Sequence, residues 1–420
     1  MRGSGRLTGP TGGVGGRRRG RSGPGSTPVT THHREPVEEP EVIALLWDSL
    51  TRYGSLIGAA WRPPPGRRAP SVRRVAVLLA LLPLFTAVQA VHGLCLALDH
   101  LLFPRFRRVP VRAPVFILGV PRSGTTLAHR TLARDPALTT FSTWECLLAP
   151  SILQRRIVRG LAAADRRIGR PLGRLLGVVE RRLFGALDAV HATALDAPEE
   201  DYLALLPVMA CFILVVPVPG AEPIWQLATA DRDMPPARRR RLMAAYRALL
   251  QRHLYVHGLD RRLLSKNAAF AGLAGALRET FPDARFIRCH RAPEQVVPSQ
   301  LSSIQGGVRL FDSDPDGRVF PARMTDVLAF YYANLDRVLP APGGPDHVVL
   351  DMRALKTDLQ GSVETAYRTL GLPLAPEFAR GLEAAAREAR AYRSGHRYDA
   401  RDFGLDAKTV AAVADGYGSA

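Results

Sequence analysis

The sequence predicts an α/β fold: three layers, with a parallel sheet between two layers of helices, a large helical insertion and an N-terminal helical extension. Three observations lead there. Short runs with apolar centres recur between residues 114 and 351, and "PVFILGV" (114–120) has no polar alternation, as in a strand buried on both faces. Helical stretches follow these runs, the order that a parallel sheet with crossover connections requires. One strand-to-helix junction, "GVPRSGTTL", is rich in glycine and hydroxyl residues, which suits a turn that faces an anion. At 420 residues, 46% apolar and 23% charged, the chain can build one large domain with appendages.

Residues 1–40 are mostly Gly, Pro, Ser, Thr and Arg. They hold too little apolar surface to offset their ordering entropy and read as a disordered Arg/Gly-rich tail. No apolar stretch follows "GGRRRGR" at the distance a signal peptide needs. A nucleic-acid-binding arm is the rival reading; a solvated tail asks for less, and no specific nucleic-acid partner is expected. Of the 57 basic residues all but three are arginine, and residues 1–114 carry 17 arginines against six acids. The net charge of +19 is therefore concentrated before the main domain.

Residues 41–110 read as an apolar helical extension. Within it "VAVLLALLPLFTAVQAVHGLCLAL" runs for 24 residues without a charge, the length of a membrane span. Pro83, Gln89 and His92 interrupt it, and Arg73, Arg74, Arg105, Arg107 and Arg108 flank it. Three readings stay open. A helix in the plane of an anionic membrane surface suits the basic flanks best. A span would place the Arg-rich tail outside, against the positive-inside tendency. A helix packed on the protein or on a second subunit, as in a homodimer, is the third. The four cysteines show no CxxC or Cys/His clustering, which argues against a disulfide scaffold or a zinc site and fits a reducing setting. The expected location is cytoplasmic, peripheral at the inner face of the membrane.

The main domain is expected over 111–420. "PVFILGV" (114–120) is its first strand and "TTLAHRTLARD" the next helix. A mainly helical region follows from about 148 to 256, including "EEDYLALLPVMACFILVV" and "PPARRRRLMAAYRALLQRHLYVH". "RRLLSK" (261–266), "ARFIRCH" (284–290) and "DHVVLD" (346–351) are further strands, each with helix after it.

The loop from Gly119 to Thr126 has the form G-x-x-x-x-G-T-T, with Thr125 where a nucleotide triphosphatase carries its lysine. What remains still binds an oxyanion. Gly124 lets the backbone approach, Ser123, Thr125 and Thr126 add hydroxyls, and Arg122 adds a planar cation. No Walker B aspartate ends "ARFIRCH", which stops at Cys289 and His290. A less charged anion and no metal are the expectation. In "FIRCHRAPEQVVPSQ", Arg291 follows the strand, Pro293 comes two residues later and Ser299 eight later.

This pair of motifs resembles the sulfotransferases that use 3′-phosphoadenosine 5′-phosphosulfate, most closely the bacterial branch with PRSGTT in place of a lysine-bearing loop. The similarity runs from about 103 to 405 and implies a P-loop-like fold. It implies that Arg122, Ser123, Gly124, Thr125 and Thr126 hold the 5′-phosphosulfate, and that Arg291 and Ser299 hold the 3′-phosphate. "LLSKNAAFAGLAGAL" is similar to the family's Leu-Lys-x-Pro-x-His segment without its Pro and His. Lys266, at a strand end, would add charge at the bridging oxygen, beside Arg122.

For the general base the resemblance favours Glu145 in "STWECLLAP", which follows the loop helix as the catalytic glutamate does in several branches. Beside Trp144 and Leu147 its pKa is expected to be raised. The rivals are His191 and the acids Asp196, Glu199, Glu200 and Asp201. His290 reads as packing at a strand end, and Arg393, His396 and Tyr398 as a segment that closes over the nucleotide or as a surface loop. The acceptor is expected to be a small hydroxyl compound, lipid-like given the apolar extension and helical insertion. An atypical P-loop kinase and an inactive membrane-bound scaffold are the alternatives.

Overall fold

All four strands expected from the apolar runs form, and they lie parallel in one sheet. The structure is a computed structural model and describes residues 39–63, 67–184, 195–391 and 400–418. The strands are β1 (Val115–Gly119), β2 (Leu138–Thr139), β3 (Arg262–Lys266), β4 (Arg285–His290), β5 (Gly343–Gly344) and β6 (His347–Asp351). They are ordered β2-β3-β1-β4-β6-β5, with only β5 antiparallel to its neighbour. The two strands not foreseen, β2 and β5, have two residues each, too few to show a period.

β1 accounts for the layering. All five of its residues are buried. Phe116 and Leu118 enter one hydrophobic cluster and Val115 and Ile117 the other, so the strand is covered on both faces. Burial of each such side chain is worth about 1.5–3 kcal/mol. A charge at Ile117 would therefore break the sheet at its centre.

Two helices, α1 (Glu39–Ala60) and α2 (Val72–Leu102), precede the sheet. Leu56, Ala60 and Leu78 from them join the same cluster as Phe116. After β1 come α3 (Thr125–Leu132), α4 (Thr143–Leu147), α5 (Ile152–Arg167) and α6 (Pro171–Phe184). Next are α7 (Glu222–Ala228), α8 (Ala230–Asp233) and α9 (Pro236–His257), then α10 (Ala274–Thr280), α11 (Pro293–Phe311) and α12 (Val319–Val338). The chain ends with α13 (Met352–Thr357), α14 (Leu359–Thr369), α15 (Pro376–Ala391) and α16 (Ala407–Gly418).

The run "EEDYLALLPVMACFILVV" departs from expectation. It forms two 3-10 stretches, Asp201–Val208 and Phe212–Val215, instead of an α-helix. Pro207 lacks the N–H that an α-helix would use, and Met209 turns left-handed at φ 53°. The early Arg/Gly-rich tail, His191, Arg393, His396 and Tyr398 lie outside the described residues.

β1 and β4 are neighbours, and the chain leaves them on opposite sides of the sheet order. The crevice beyond their C-terminal ends is where open parallel sheets bind ligands. Both sequence motifs fall there.

Candidate active site

The loop after β1 is shaped by two crowded glycines. A Cβ on Gly119 would stand 2.6 Å from both the Cys289 carbonyl oxygen and Ser123 Oγ. Gly124 has φ 98°, and a side chain there would strike Met352 Sδ at the start of α13. Between them Arg122 sits at φ 69°, a strained conformation for a residue with a side chain. The turn closes through the Ser123 N–H to the Val120 oxygen, 3.2 Å. It leads into α3, whose first N–H groups have no partner within the helix.

Ser123 has 0% exposure, and its Oγ has no hydrogen-bond partner. Leaving a buried hydroxyl unmatched costs about 1–3 kcal/mol. An acceptor oxygen lodged in the turn would satisfy it. Thr125 is buried beside it, and Thr126 is exposed at the rim.

The second motif converges on the first. Arg122 Nε donates to Ser299 Oγ on α11 at 3.1 Å. Arg291, just after β4, donates from Nη1 to the Arg122 carbonyl oxygen at 2.9 Å and from Nε to Gln295 Oε1 at 3.0 Å. Tyr332 on α12 fixes the Arg291 carbonyl at 2.6 Å. Burial first, and then the charge of Arg122, lower the Arg291 pKa. Among the described residues neither guanidinium forms an ion pair with a carboxylate. Two cations held together without a counter-charge have the chemistry to receive an anion.

Lys266 ends β3, the neighbour of β1, and its Nζ lies 2.5 Å from Glu200 Oε1. Both side chains are mostly buried, Glu200 the more open of the two. The next residue, Asp201, holds that segment in place. Its carboxylate is 1% exposed and accepts from Tyr246 Oη at 2.7 Å, Ser265 Oγ at 3.0 Å and the Asn267 amide. Burial pushes the Asp201 pKa up to about 6, against the pull of these neutral donors. Asn267 also accepts from the Tyr202 N–H at 3.1 Å. Sequence reasoning passed over Asn267 and Tyr246; the only sign of the former was its place directly after Lys266.

Glu145 is a correction. Its pKa was expected to be raised, and it is lowered. Burial alone would raise it, but Arg155, a hydrogen bond from His257 and the charge of His253 outweigh that effect. His257 Nε2 stands 2.6 Å from Oε1 and Arg155 Nε 3.7 Å, while Oε2 accepts from the Ser142 N–H at 3.2 Å in a capping box on α4. At 1% exposure the carboxylate is enclosed by cations. Glu145, His253 and His257 bring three metal-ligand atoms within 4.8 Å of one another. Arg155, 0% exposed, and Arg159, 3.9 Å from Oε1, already supply the positive charge there. The set reads as an ion-pair network.

The other candidates separate cleanly. Glu199 accepts from the Thr143 hydroxyl at 3.4 Å and the Glu200 N–H at 2.9 Å, which makes it a local brace. Asp196 is exposed. His290 is half-buried at the end of β4 with its ring 6.3 Å from that of Tyr332. Sequence reasoning also passed over His129 on α3, which is fully buried, bonds Thr140 Oγ1 at 2.7 Å and leaves Nδ1 without a partner among the described residues.

A parallel sheet with a glycine turn beyond β1 and a second cation beyond β4 defines a P-loop-like α/β fold. The chain belongs to the sulfotransferase family, whose model matches residues 114–376. No curated protein matches it. Among solved structures it is similar to sulfotransferase STF1 from Mycobacterium tuberculosis H37Rv, at 20% identity and a TM-score of 0.64, over 92% of this chain and 99% of that one. Sulfotransferase STF9 from Mycobacterium avium is similar at 17% identity and a TM-score of 0.64, over 90% of this chain and 95% of that one. At such identities the likeness is one of fold.

Proposed function

We propose that the chain moves a sulfonyl group from 3′-phosphoadenosine 5′-phosphosulfate to the hydroxyl of a small hydrophobic acceptor, without a metal ion. The convergence of Arg122, Ser299 and Arg291 carries this reading. A donor with phosphate at both ends of one nucleoside needs an anion site on each of two strands. The turn, with the unmatched Ser123 hydroxyl, suits the 5′ end, and Arg291 with Ser299 suits the 3′ end.

In the transfer the acceptor oxygen bonds to sulfur, and the bond from sulfur to the bridging phosphate oxygen breaks. Adenosine 3′,5′-bisphosphate leaves with the electron pair. Arg122 and Lys266 stabilise the charge that gathers on it. The base role is better suited to Glu200 than to Glu145. Glu200 lies against Lys266 and is partly open, whereas Glu145 is closed in by Arg155 and His257. Glu200 takes the hydroxyl proton, and Lys266 keeps its carboxylate oriented.

Calorimetric titration with adenosine 3′,5′-bisphosphate in the presence of a chelator tests the donor. Arg291→Ala should weaken that ligand by about ten- to a hundredfold, since a charge-assisted contact is worth about 1.5–3 kcal/mol. AMP, without the 3′-phosphate, should bind almost equally to both proteins. Equal losses for the two ligands would remove Arg291 from the 3′ end. Binding of ATP only with magnesium would favour the kinase alternative.

A further inference from the structure

Helices α1 and α2 are amphipathic in the reverse sense. The buried residues of α2 are Arg74, Leu78, Gln89, His92 and Asp99, four of them polar. Its outward face carries Leu79, Leu84, Val91 and Leu94, each more than half exposed. α1 repeats the pattern. Asp48 and Arg52 are buried, Asp48 against Arg238 and Arg241, while Leu46, Trp47 and Leu50 are exposed at 58%, 70% and 63%. The two helices are joined by Tyr53 Oη and Thr86 Oγ1 at 2.7 Å. In water a surface helix turns its apolar stripe inward. Here polar groups hold the helices to the body beside a few apolar contacts, Leu56, Ala60 and Leu78, and a row of large apolar side chains faces out.

The same bonds set the direction of α2. At its start, Arg74 donates to the carbonyl oxygens of Pro217, Phe311 and Ala60. At its end, Asp99 accepts from the N–H groups of Ile152 and Leu153 and from Arg252 Nε, all within 3.0 Å. A helix fixed at both ends to one body lies along that body and does not thread a bilayer.

Charge identifies what covers this face. Between residues 43 and 110 the carboxylates are Asp48 and Asp99, and both are buried. Arg62, Arg67, Arg68 and Arg73 are exposed before and at the start of α2, and Arg105, Arg107 and Arg108 beyond its end. A second copy meeting this face through a two-fold axis would set arginine against arginine. Residues 1–38 offer only Met1, Leu7, Val14, Val29 and Val37 as apolar cover beyond alanine-sized groups. An apolar stripe bordered by cations, with no exposed acid between residues 43 and 110, complements an acidic lipid surface.

We propose that α1 and α2 seat the protein on an acidic phospholipid bilayer, with α2 lying in the plane of the interface and the arginines at the headgroups. The test is sedimentation of the full chain with vesicles of equimolar phosphatidylcholine and phosphatidylglycerol, against vesicles of phosphatidylcholine alone. The protein should pellet with the acidic vesicles, bind the neutral ones more weakly, and be released only in part by high salt. Leu84→Glu with Leu94→Glu should lower vesicle binding at least tenfold while circular dichroism and adenosine 3′,5′-bisphosphate binding stay unchanged. Leu84→Ser with Leu94→Ser gives a milder loss and guards against misfolding of the first variant. Three results would overturn the proposal: wild-type protein that stays monomeric and does not pellet, a dimer that these variants split, or variants that bind vesicles as well as wild type does.

Discussion

Two buried acids in this molecule respond to burial in opposite ways. Asp201 is surrounded by neutral donors, Tyr246, Ser265 and Asn267, and its pKa rises to about 6. Glu145 is as deeply enclosed, yet Arg155, His257 and His253 hold its pKa below the usual carboxylate range. Burial penalises the charged form in both; at Glu145 its neighbours, Arg155 first and then the hydrogen bond from His257, reverse the sign. The lesson for function is that enclosure alone does not mark a base. Asp201 is held by neutral donors and Glu145 by Arg155 and two histidines, whereas Glu200, the partly open carboxylate beside Lys266, is the base in the proposed function.

The sharpest way to break that contrast is at Glu200. Glu200→Gln keeps shape but cannot accept a proton, so turnover should fall by about 10²–10⁴-fold. Donor binding should be intact, because the proposed nucleotide site draws on Arg122, Ser299 and Arg291 and not on Glu200. Steady-state kinetics should show the loss in kcat with little change in the acceptor KM. Turnover close to wild type would send the base role to another residue.

Glu145→Gln should produce the reverse. Arg155 would be left buried without its counter-charge, which costs about 3–5 kcal/mol. Turnover per folded molecule should change little. The expected readout is a lower denaturation midpoint with near-normal kcat; a large fall in kcat with unchanged stability would restore Glu145 as the base. The pH dependence follows from the same cations. A carboxyl held below its unfolded value of about 4.3 adds stability above that pH and loses it as pH falls through the folded value. Wild type should therefore lose its advantage over Glu145→Gln in acid, below about pH 4.

The contrast between the two acids explains which parts of the site were legible in the sequence. β1 is a continuous apolar run, β3, β4 and β6 carry short apolar centres between polar ends, and "PRSGTT" and R-x-P-x5-S are local, so residues near in sequence disclose them. The environment of Glu145 is not local. Its partners come from α5 and α9, with His257 112 residues away, and Arg155 lies within "LQRR", a stretch with no local sign of burial. The anchor at Asp201 likewise depends on Tyr246 and Asn267 from other elements. The orientation of α2 was hidden for another reason. Hydropathy sums a helix over all its faces, so it cannot tell that Asp99 and His92 point inward while Leu84 and Leu94 point out.

The smallest expected effect belongs to Asp201, and its sign separates it from Glu145. An acid whose folded pKa is raised contributes stability that is complete below its unfolded pKa, about 3.9, and is lost as pH rises through about 6. Asp201→Asn removes the titration but keeps one acceptor oxygen for Ser265 and Asn267, and its amide can donate to Tyr246 Oη. At pH 4, where Asp201 is protonated in the fold, the variant and wild type should be nearly equal in stability. Toward pH 7 the wild type must hold a charge among neutral partners, and the variant should gain by about 1–3 kcal/mol relative to it. Urea denaturation of both proteins at the two pH values measures this directly. A gap that is the same at both would mean that Asp201 finds a cation that compensates its charge, and the opposition between the two acids would be gone.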